Sequence, residues 1–414
     1  MMPTSAATGR PPQPRSPSRR VRVLFMQSQV FFGSDSKMHS LLMREYDRDE
    51  VDVHVACTRG RRGEPSASLG ALSTIPDITL RPTNFGPTLS HQGRLRVLAS
   101  LPSAGPMLSD LGALALYLRR HRIDLVHGTE KPRDAFYGVL LAKLAGVRSV
   151  VHVHVAYRDW LSQKVRWAIS AADGVIAVSR FVADTIVAAG HPPEKVHVLL
   201  NGLDAERWDP GFDGMPVRRE LGIAPEQPLI VIASRLYHWK GHLLLVRALA
   251  KVKREVPDVR LLVAGEDDAR AAPGRGSLTA ELRQLAHELG VSENVIFTGF
   301  RSDVQALLAA CDVYAMPTFE EPCAVAFLEA MAMARPVVAL RSGGTPEIVP
   351  DGEAGLLSEP DDVDGLAANL VALLRDTRLR RRLGAAGRRR VETQLTPARM
   401  AADGLRIYRR VLEG

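Results

Sequence analysis

The feature that most constrains the fold of this chain is an alternation of strand-like and helix-like segments that occurs twice. Short apolar strand candidates alternate with amphipathic helix patterns up to about residue 200. The alternation restarts at Leu229, after a break rich in turn residues at Asn201–Pro228. Strands that alternate with helices form parallel sheets with helices on both faces. The sequence therefore predicts an α/β protein with two such sheets.

The strand candidates place the expected ligand site. In the first half they are Val21–Met26, Val51–Ala56, Asp124–His127, Ser149–Val155, Gly174–Val178 and Val196–Leu200. In the second half they are Leu229–Ala233, Arg260–Ala264, Val295–Thr298, Val313–Met316 and Pro336–Leu340. The segment Gly60–Ser103 is rich in Gly, Pro and Ser and predicts loops. Ligands of parallel sheets bind at the carboxyl ends of the strands, here in the cleft between the two units.

The length of 414 residues also favours two domains, because one hydrophobic core rarely extends beyond about 250–300 residues. Residues 1–20 lack periodicity and predict a disordered tail. The two domains are predicted at 21–205 and 206–395. The final segment, 396–414, carries Leu405, Tyr408 and Leu412 on one helical face. This pattern predicts a helix that either caps the second domain or crosses back to the first.

The cysteines and the charge exclude several classes of protein. Cys57, Cys311 and Cys323 are far apart, which excludes a disulfide scaffold and a cysteine-based zinc site. No apolar run is long enough to span a bilayer, and no signal-peptide cleavage pattern follows Arg19 and Arg20, so we expect a cytoplasmic protein. The net charge of +8 lies in the first 210 residues. It is compatible with contact to phosphates, an anionic membrane or nucleic acid, and equally with a solvated basic surface.

Two glutamates follow a predicted strand in the segment PTFEEPCAVAFLEAMAMARPVVAL, Pro317–Leu340. Glu321 lies in a loop, and Glu329 lies two turns into the helix that follows. These carboxylates could bond the hydroxyls of a sugar and of a ribose. The helix N-terminus between them could bind a diphosphate. A surface helix with two solvated carboxylates has the same spacing.

Two cations follow the strand that opens the second unit, in the segment IASRLYHWKGH. Arg235 and Lys240 should project from the loop at the carboxyl end of that strand. An arginine fork and a lysine point charge suit two phosphates, although Arg235 could instead pair with a local carboxylate. The sequence contains no P-loop, no GxGxxG after a strand, no GxSxG and no HExxH. It therefore lacks the usual motifs of other nucleotide-binding and hydrolytic enzymes.

Glycines mark two further turns where the backbone is expected to approach a ligand. Gly343 and Gly344 precede a short helix in SGGTPEIVPDGEAGLL, and Gly33 follows the first strand in FFGSDS. Glycine permits close approach to a ligand, but it also occurs in ordinary strand-to-helix turns.

Taken in chain order, these four passages resemble the retaining GT-B glycosyltransferases, specifically glycosyltransferase family 4, from about Val21 to the end of the chain. Two further segments share the resemblance, ADGVIAVS at Ala172–Ser179 and NGLDAERWDP at Asn201–Pro210. The resemblance implies the GT-B fold, in which two Rossmann-like domains face each other across a cleft. It also implies that the second domain holds a nucleotide-diphospho-sugar donor and the first holds a glycan, lipid-linked or small-molecule acceptor. Hexose transfer with retention of anomeric configuration, without a metal or other cofactor, is then expected.

The resemblance also implies roles for individual residues. Arg235 and Lys240 are expected to contact the diphosphate and to stabilise the charge of the leaving group. Glu321 is expected to hold the donor sugar and Glu329 the ribose. The remaining residues expected at the donor are Gly33, Gly299, Phe300, Arg301, Cys323, Ala324 and Val325.

The first domain supplies further candidates. His154 in VVHVHVAY matches the active-site histidine of the family, and the resemblance implies that it is catalytic. His152 alternates with it and is expected on the opposite face of the sheet, as a core residue. His127 and Asp35 are expected to face the acceptor.

Departures from the family pattern affect specificity more than activity. Pro322, Cys323 and Ala324 replace a segment that commonly ends in glycine, which narrows the space beside the donor sugar. Phe32 stands where a second glycine often precedes Gly33. Cys323 is expected to line a pocket rather than to act as a nucleophile.

Other readings remain open. A nucleotide-sugar epimerase, a sugar phosphorylase and a catalytically silent glycan-binding scaffold have the same fold. Nucleic-acid binding is disfavoured, since aromatic residues make up only 5% of the chain. Peripheral contact with an anionic membrane is a hypothesis that rests on five arginines of the first domain, Arg94, Arg96, Arg119, Arg120 and Arg122.

Overall fold

Two parallel sheets form the framework of the protein. The computed structural model describes residues 19–60, 64–86, 104–267 and 276–414. The first sheet has the strand order β3-β2-β1-β4-β5-β6-β7, and the second has the order β10-β9-β8-β11-β12-β13. All the pairings are parallel, so the carboxyl ends of the strands of each sheet meet at one edge.

The strands of the first sheet are β1 Val21–Gln27, β2 Val51–Thr58, β3 Thr79–Thr83, β4 Leu125–Thr129, β5 Arg148–Val153, β6 Gly174–Ala177 and β7 Val196–Val198. Those of the second sheet are β8 Leu229–Ala233, β9 Arg260–Ala264, β10 Val295–Gly299, β11 Val313–Ala315, β12 Val337–Leu340 and β13 Gly355–Ser358. Sequence analysis missed β3 and β13. Both are edge strands, and Pro82 interrupts the β3 pattern.

Helices cover both faces of each sheet. In the first half they are α1 Ser34–Glu45, α2 Ala67–Leu72, α3 Ala104–Arg120, α4 Pro132–Ala145, α5 Gln163–Ala171 and α6 Arg180–Ala188. In the second half they are α7 Met215–Glu220, α8 His242–Glu255, α9 Leu278–Glu288, α10 Val304–Ala310, α11 Val325–Ala332, α12 Thr345–Ile348, α13 Val363–Arg375, α14 Thr377–Thr393 and α15 Pro397–Glu413. Most of the strand residues are fully buried and form the cores.

The last helix, α15, belongs to the core of the first domain. Its residues Met400, Leu405 and Tyr408 are buried in one cluster with residues of β1, β2 and α1. The Oη atom of Tyr408 lies 2.5 Å from Nδ1 of His127 on β4. The sequence left two alternatives open for this helix. The structure shows that the helix crosses back to the first domain.

The beginning of the described chain contacts the first domain. Arg19 pairs with Asp124 at 2.7 Å, and Arg20 lies 3.6 Å from Asp52. Both arginines are exposed and lie outside any helix or strand, so surface ion pairs are what connects them to the first domain. Three of the predictions concern residues outside the described part of the chain: those for residues 1–18, for Arg94 and for Arg96.

Within the described part of the chain, no helix has the length and apolar character to cross a membrane.

Candidate active site

A cavity of about 520 Å³ lies at the carboxyl ends of β8, β9 and β10, where the parallel-sheet rule places a ligand. Four residues expected at the donor line it: Arg235, Glu329, Phe300 and Arg301. The sequence analysis missed Ser234, Gly265, Glu266, Asp267, Val304 and Leu307, which complete much of the lining. These residues lie directly after the strands or on the helix after β10, and that position in the sequence could have identified them as lining residues.

The floor of this cavity requires a glycine. Gly265 follows β9 with φ +156°, and a Cβ placed there would lie 1.9 Å from the carbonyl oxygen of Ser234. Its N–H donates to the carbonyl of Gly299 at 2.8 Å. The ends of β8, β9 and β10 therefore approach each other closely, which positions Arg235 and Phe300 around one space.

Arg235 and Lys240 are joined by two aromatic rings. Nη1 of Arg235 donates to Oη of Tyr237 at 3.2 Å. The Tyr237 ring stacks on Trp239 with centroids 5.9 Å apart, and Lys240 Nζ lies 4.1 Å from the Trp239 centroid. The Tyr237 hydroxyl accepts from Arg235 and the Trp239 ring lies under Lys240, so this pair of rings positions both cations after β8. Both cations therefore stand where the sequence predicts them.

Lys240 forms a largely buried ion pair with Glu321. Nζ lies 2.6 Å from Oε2 of Glu321, and the two side chains are only 14% and 7% exposed. Oγ1 of Thr318, which sequence analysis did not select, donates to the same carboxylate oxygen at 3.1 Å. The loop after β11 thus brings a predicted sugar-binding carboxylate into direct contact with a predicted phosphate-binding cation.

The glycine pair after β12 supports the Glu321 loop. Gly343 has φ +61°, and a Cβ there would lie 2.5 Å from the Glu321 backbone nitrogen. The N–H of Gly344 donates to the carbonyl of Glu321 at 2.7 Å. The two glycines therefore allow a close approach to the backbone of Glu321, which fixes the position of this residue.

Burial changes the ionisation of two groups in this domain. Burial raises the pKa of the Glu329 carboxyl to about 7, although Lys37 of the first domain lowers it. Burial likewise raises the pKa of Cys323 to about 12. A thiol with that pKa is protonated at neutral pH, which agrees with the expectation that Cys323 is not a nucleophile.

The other residues expected at the donor do not line this cavity. Cys323 and Ala324 are buried at the start of α11, and Ala324 is its N-cap. Val325 packs against the cores of both domains, so it lies at their junction. Gly33 is the N-cap of α1 in the first domain. The backbone of Gly299 ends β10 with φ +69° and precedes Phe300, whose side chain is 70% exposed.

Side chains also connect the two domains across the cleft. The Glu347 carboxylate accepts from the backbone N–H groups of Arg180 and Phe181, at 2.7 and 3.0 Å. It therefore caps the N-terminus of α6 from the other domain. Arg158 of the first domain pairs with Glu320 at 2.7 Å.

The first turn of α1 places Asp35 in a charged cluster. Asp35 lies 2.8 Å from Nζ of Lys131, which also contacts Glu130 at 2.8 Å. Burial alone would raise the pKa of Asp35, but His154 and Lys131 outweigh it and lower that pKa to about 2. The backbone N–H of His154 donates to Glu130 at 3.1 Å. Asp35 and His154 are therefore close together.

Two expectations for histidines are wrong. His127 is fully buried and bonded to Tyr408, so it does not face the cleft. His152 does not point away from His154: their ring centroids are 4.2 Å apart. The physical reason is that β5 ends at Val153, so His154 lies beyond the strand and the alternation of faces no longer applies to it.

Comparison with known proteins places this architecture in a family. Residues 216–390 match the model of "Glycosyl transferases group 1", and residues 40–207 match that of "Glycosyltransferase Family 4". The chain is 33% identical to an alpha-maltose-1-phosphate synthase of Mycobacterium tuberculosis over 75% of this chain and 85% of the relative.

Two further matches agree with this assignment. A GDP-mannose-dependent alpha-(1-6)-phosphatidylinositol monomannoside mannosyltransferase of Mycolicibacterium smegmatis is 35% identical, over 60% of this chain and 66% of the relative. That match spans slightly less than two thirds of the relative. HepE of Anabaena, solved in complex with UDP, has the same fold with a TM-score of 0.73 and 23% identity, covering 92% of this chain and 98% of HepE. The chain belongs to glycosyltransferase family 4, the group 1 glycosyl transferases, and is a glycosyltransferase of the GT-B fold.

Proposed function

We propose that this enzyme transfers a hexose from a nucleotide-diphospho-sugar to a hydroxyl of an acceptor, with retention of anomeric configuration and without a metal ion. The observation that carries the proposal is the 520 Å³ cavity at the strand ends, which contains both Arg235 and Glu329. A nucleoside diphosphate needs a cation for its phosphates and an acceptor for its ribose hydroxyls, and this cavity offers both. One relative is a GDP-mannose-dependent enzyme and HepE was solved with UDP, which supports this class of donor.

In the proposed reaction the bond between the anomeric carbon and the diphosphate oxygen breaks, the acceptor hydroxyl oxygen bonds the same carbon, and the hydroxyl proton passes to the departing diphosphate. Arg235 and Lys240 stabilise the negative charge that develops on the diphosphate, a task that a metal ion performs in other enzymes. Glu321 orients the donor sugar, because its carboxylate is held by Lys240 and Thr318. His154 lies on the acceptor side beside Asp35. Closure of the two domains excludes water and limits hydrolysis of the donor.

A thermal-shift panel tests the donor class. We expect the melting temperature to rise with one of UDP, GDP, ADP or dTDP in the presence of EDTA, because a ligand that binds only the folded state stabilises it by about 2.7 kcal/mol at 100 times its Kd. The shift should be smaller in Arg235→Ala. A rise that requires Mg²⁺ would contradict metal independence. No rise with any of the nucleotides or their sugar conjugates would contradict the donor assignment.

Product analysis tests the chemistry. With the donor sugar that the panel identifies, NMR of the product should show the anomeric configuration of the donor. An inverted product would exclude retention. Release or epimerisation of the sugar without an acceptor would indicate a nucleotide-sugar epimerase of the same fold instead.

We also propose that the first domain contacts an anionic membrane from the cytoplasmic side through α3. Leu108 and Leu116 are 63% and 68% exposed, and Arg119 and Arg120 follow on the same helix. Each arginine at an anionic surface contributes about 1 kcal/mol. We expect sedimentation with anionic vesicles at low salt, lost at high salt and weakened about tenfold or more in an Arg119→Ser, Arg120→Ser double variant. Equal binding to neutral vesicles, or none to anionic ones, would contradict this.

A further inference from the structure

Three histidines of the first domain bring their ring nitrogens together away from the donor cavity. One ring nitrogen from each of His39, His152 and His154 lies within 4.8 Å of the others. His39 is on α1, His152 is on β5 and His154 follows that strand. His39 and His152 are fully buried, and His154 is half-buried. The fold therefore assembles three imidazoles from separate segments at one point.

The hydrogen bonds of this cluster are incomplete. Nε2 of His152 and Nε2 of His154 are buried and have no hydrogen-bond partner among the described residues. A buried polar atom without a partner usually costs about 1–3 kcal/mol, and a metal ion bound to Nε2 of His154 would supply the partner that this atom lacks. The glycosyl-transfer reaction uses His154 at most, and it does not account for His39 or His152.

The spacing suits a metal ion that prefers imidazole. Nε2 of His39 lies 3.2 Å from Nδ1 of His152. Two imidazole nitrogens on a tetrahedral zinc ion, each about 2.0–2.1 Å from the metal, are about 3.4 Å apart. One ring nitrogen of His154 lies within 4.8 Å of the other two, and its approach to the metal would complete a three-histidine set. The fourth position would then be left to water, as in open zinc sites.

The surroundings also suit a divalent cation. Asp35 and Glu130 share the single cation Lys131, so this group carries a net negative charge beside the rings.

A neighbouring amide can hold the correct tautomer. Nε2 of Gln27 lies 2.8 Å from Nδ1 of His39. For His39 to bind a metal through Nε2, its proton must sit on Nδ1. Rotation of the Gln27 amide then presents its oxygen as the acceptor for that proton. A metal-binding histidine almost always donates its other N–H to such a partner.

We propose that His39, His152 and His154 form a binding site for a divalent transition metal of the zinc class, and that the metal inhibits sugar transfer. Inhibition follows because a metal bound to His154 withdraws this ring from the acceptor. That second part rests on the proposed function, whereas metal binding itself does not.

The test uses the full chain without an affinity tag, stripped with EDTA and then dialysed against Zn²⁺ alone. We expect one tightly bound Zn²⁺ per chain and a rise in melting temperature. In His39→Gln and in His154→Gln the affinity should fall at least about tenfold. The exposed residue His287 provides the matched control, and His287→Gln should bind as the wild type does. Thermal unfolding of the metal-free variants shows that each one folds.

Two results would overturn the proposal. Unchanged Zn²⁺ binding in both His39→Gln and His154→Gln would show that the metal binds elsewhere on the surface. Failure of the wild type to bind Zn²⁺ would exclude the site.

A transfer assay tests the inhibition. Zn²⁺ should inhibit the wild type, and EDTA should reverse that inhibition. His39→Gln should need at least about ten times more Zn²⁺ for the same inhibition. If the protein shows no transfer at all, the proposed function fails and the binding result still stands.

Discussion

Replacement of Lys240 by alanine is expected to lower kcat/KM for sugar transfer by about 10²–10³-fold, because one donor aimed at a developing negative charge contributes that much. The loss should appear mainly in kcat, since the charge on the leaving diphosphate is larger in the transition state than in the bound donor. Lys240 is positioned for this role by the 2.6 Å ion pair with Glu321 and by the Trp239 ring.

Steady-state kinetics with the donor found in the thermal-shift panel provides the measurement. Lys251→Ala is the matched control, because Lys251 lies on the neighbouring helix α8 in an exposed ion pair with Asp364. It should leave kcat within about twofold, since exposed pairs contribute about 0–1 kcal/mol. Lys240→Arg keeps the charge but not the shape of the ammonium, and it should recover only part of the rate.

The ion pair complicates the interpretation of Lys240→Ala, because the substitution leaves the Glu321 carboxylate buried without its cation. Breaking such a pair can destabilise a fold by about 3–5 kcal/mol. The double variant Lys240→Ala, Glu321→Ala removes both charges and restores stability. If the double variant is stable and still transfers sugar at the wild-type rate, Lys240 has only a structural role and the proposed mechanism is wrong.

Much of the fold was predictable from the sequence because buried parallel strands are nearly continuous apolar runs. Eleven strands of the two sheets overlap the predicted segments, and the two that were missed lie at sheet edges. Helix α14 was also missed, since its sequence TRLRRRLGAAGRRRVET buries only Leu383, Gly384, Gly387 and Val391. Such a sparse apolar face gives little periodic signal.

The cavity at the ends of β8, β9 and β10 was more predictable than the histidine cluster for a physical reason. Arg235 and Glu329 each follow or face the end of a strand, so local pattern and the parallel-sheet rule suffice to bring them together. The histidine cluster depends on where β5 ends and on how α1 packs. If a strand ends one residue earlier or later, the side chains that follow it point to the opposite face, and different residues meet. His127 was misplaced because its partner Tyr408 comes from a helix 281 residues later in the chain.

Replacement of Glu329 by glutamine is expected to stabilise the protein while it weakens donor binding. Burial raises the pKa of this carboxyl from 4.5 to about 7, so the folded state disfavours its charged form. A raised carboxyl pKa lowers stability progressively as pH rises from about 4.5 to 7, and the destabilisation keeps its full size above 7. A glutamine side chain carries no charge to bury, so the Glu329→Gln variant should gain about 2 kcal/mol at pH 8 and almost nothing at pH 4.

Donor binding should change in the opposite direction. A charged carboxylate accepts hydrogen bonds from ribose hydroxyls more strongly than an amide does, by about 1.5–3 kcal/mol against about 1 kcal/mol. We therefore expect Glu329→Gln to raise the Kd of the nucleoside diphosphate about tenfold at pH 8 with kcat little changed. In the wild type, nucleotide affinity should fall as pH decreases through about 7, and in Glu329→Gln that dependence should be weaker, since only the terminal phosphate of the nucleotide then titrates.

Denaturant unfolding and nucleotide titration at pH 4, 6 and 8 separate these two effects. Glu226→Gln, at an exposed position, is the matched control and should change neither quantity. A gain in stability without loss of affinity would show that Glu329 is a buried carboxyl outside the donor site. A loss of affinity without a gain in stability would show that burial does not perturb this group. A gain in stability together with a loss of nucleotide affinity, both changing near pH 7, would show that the protein keeps this carboxylate buried, at a cost in stability, because the carboxylate binds the donor.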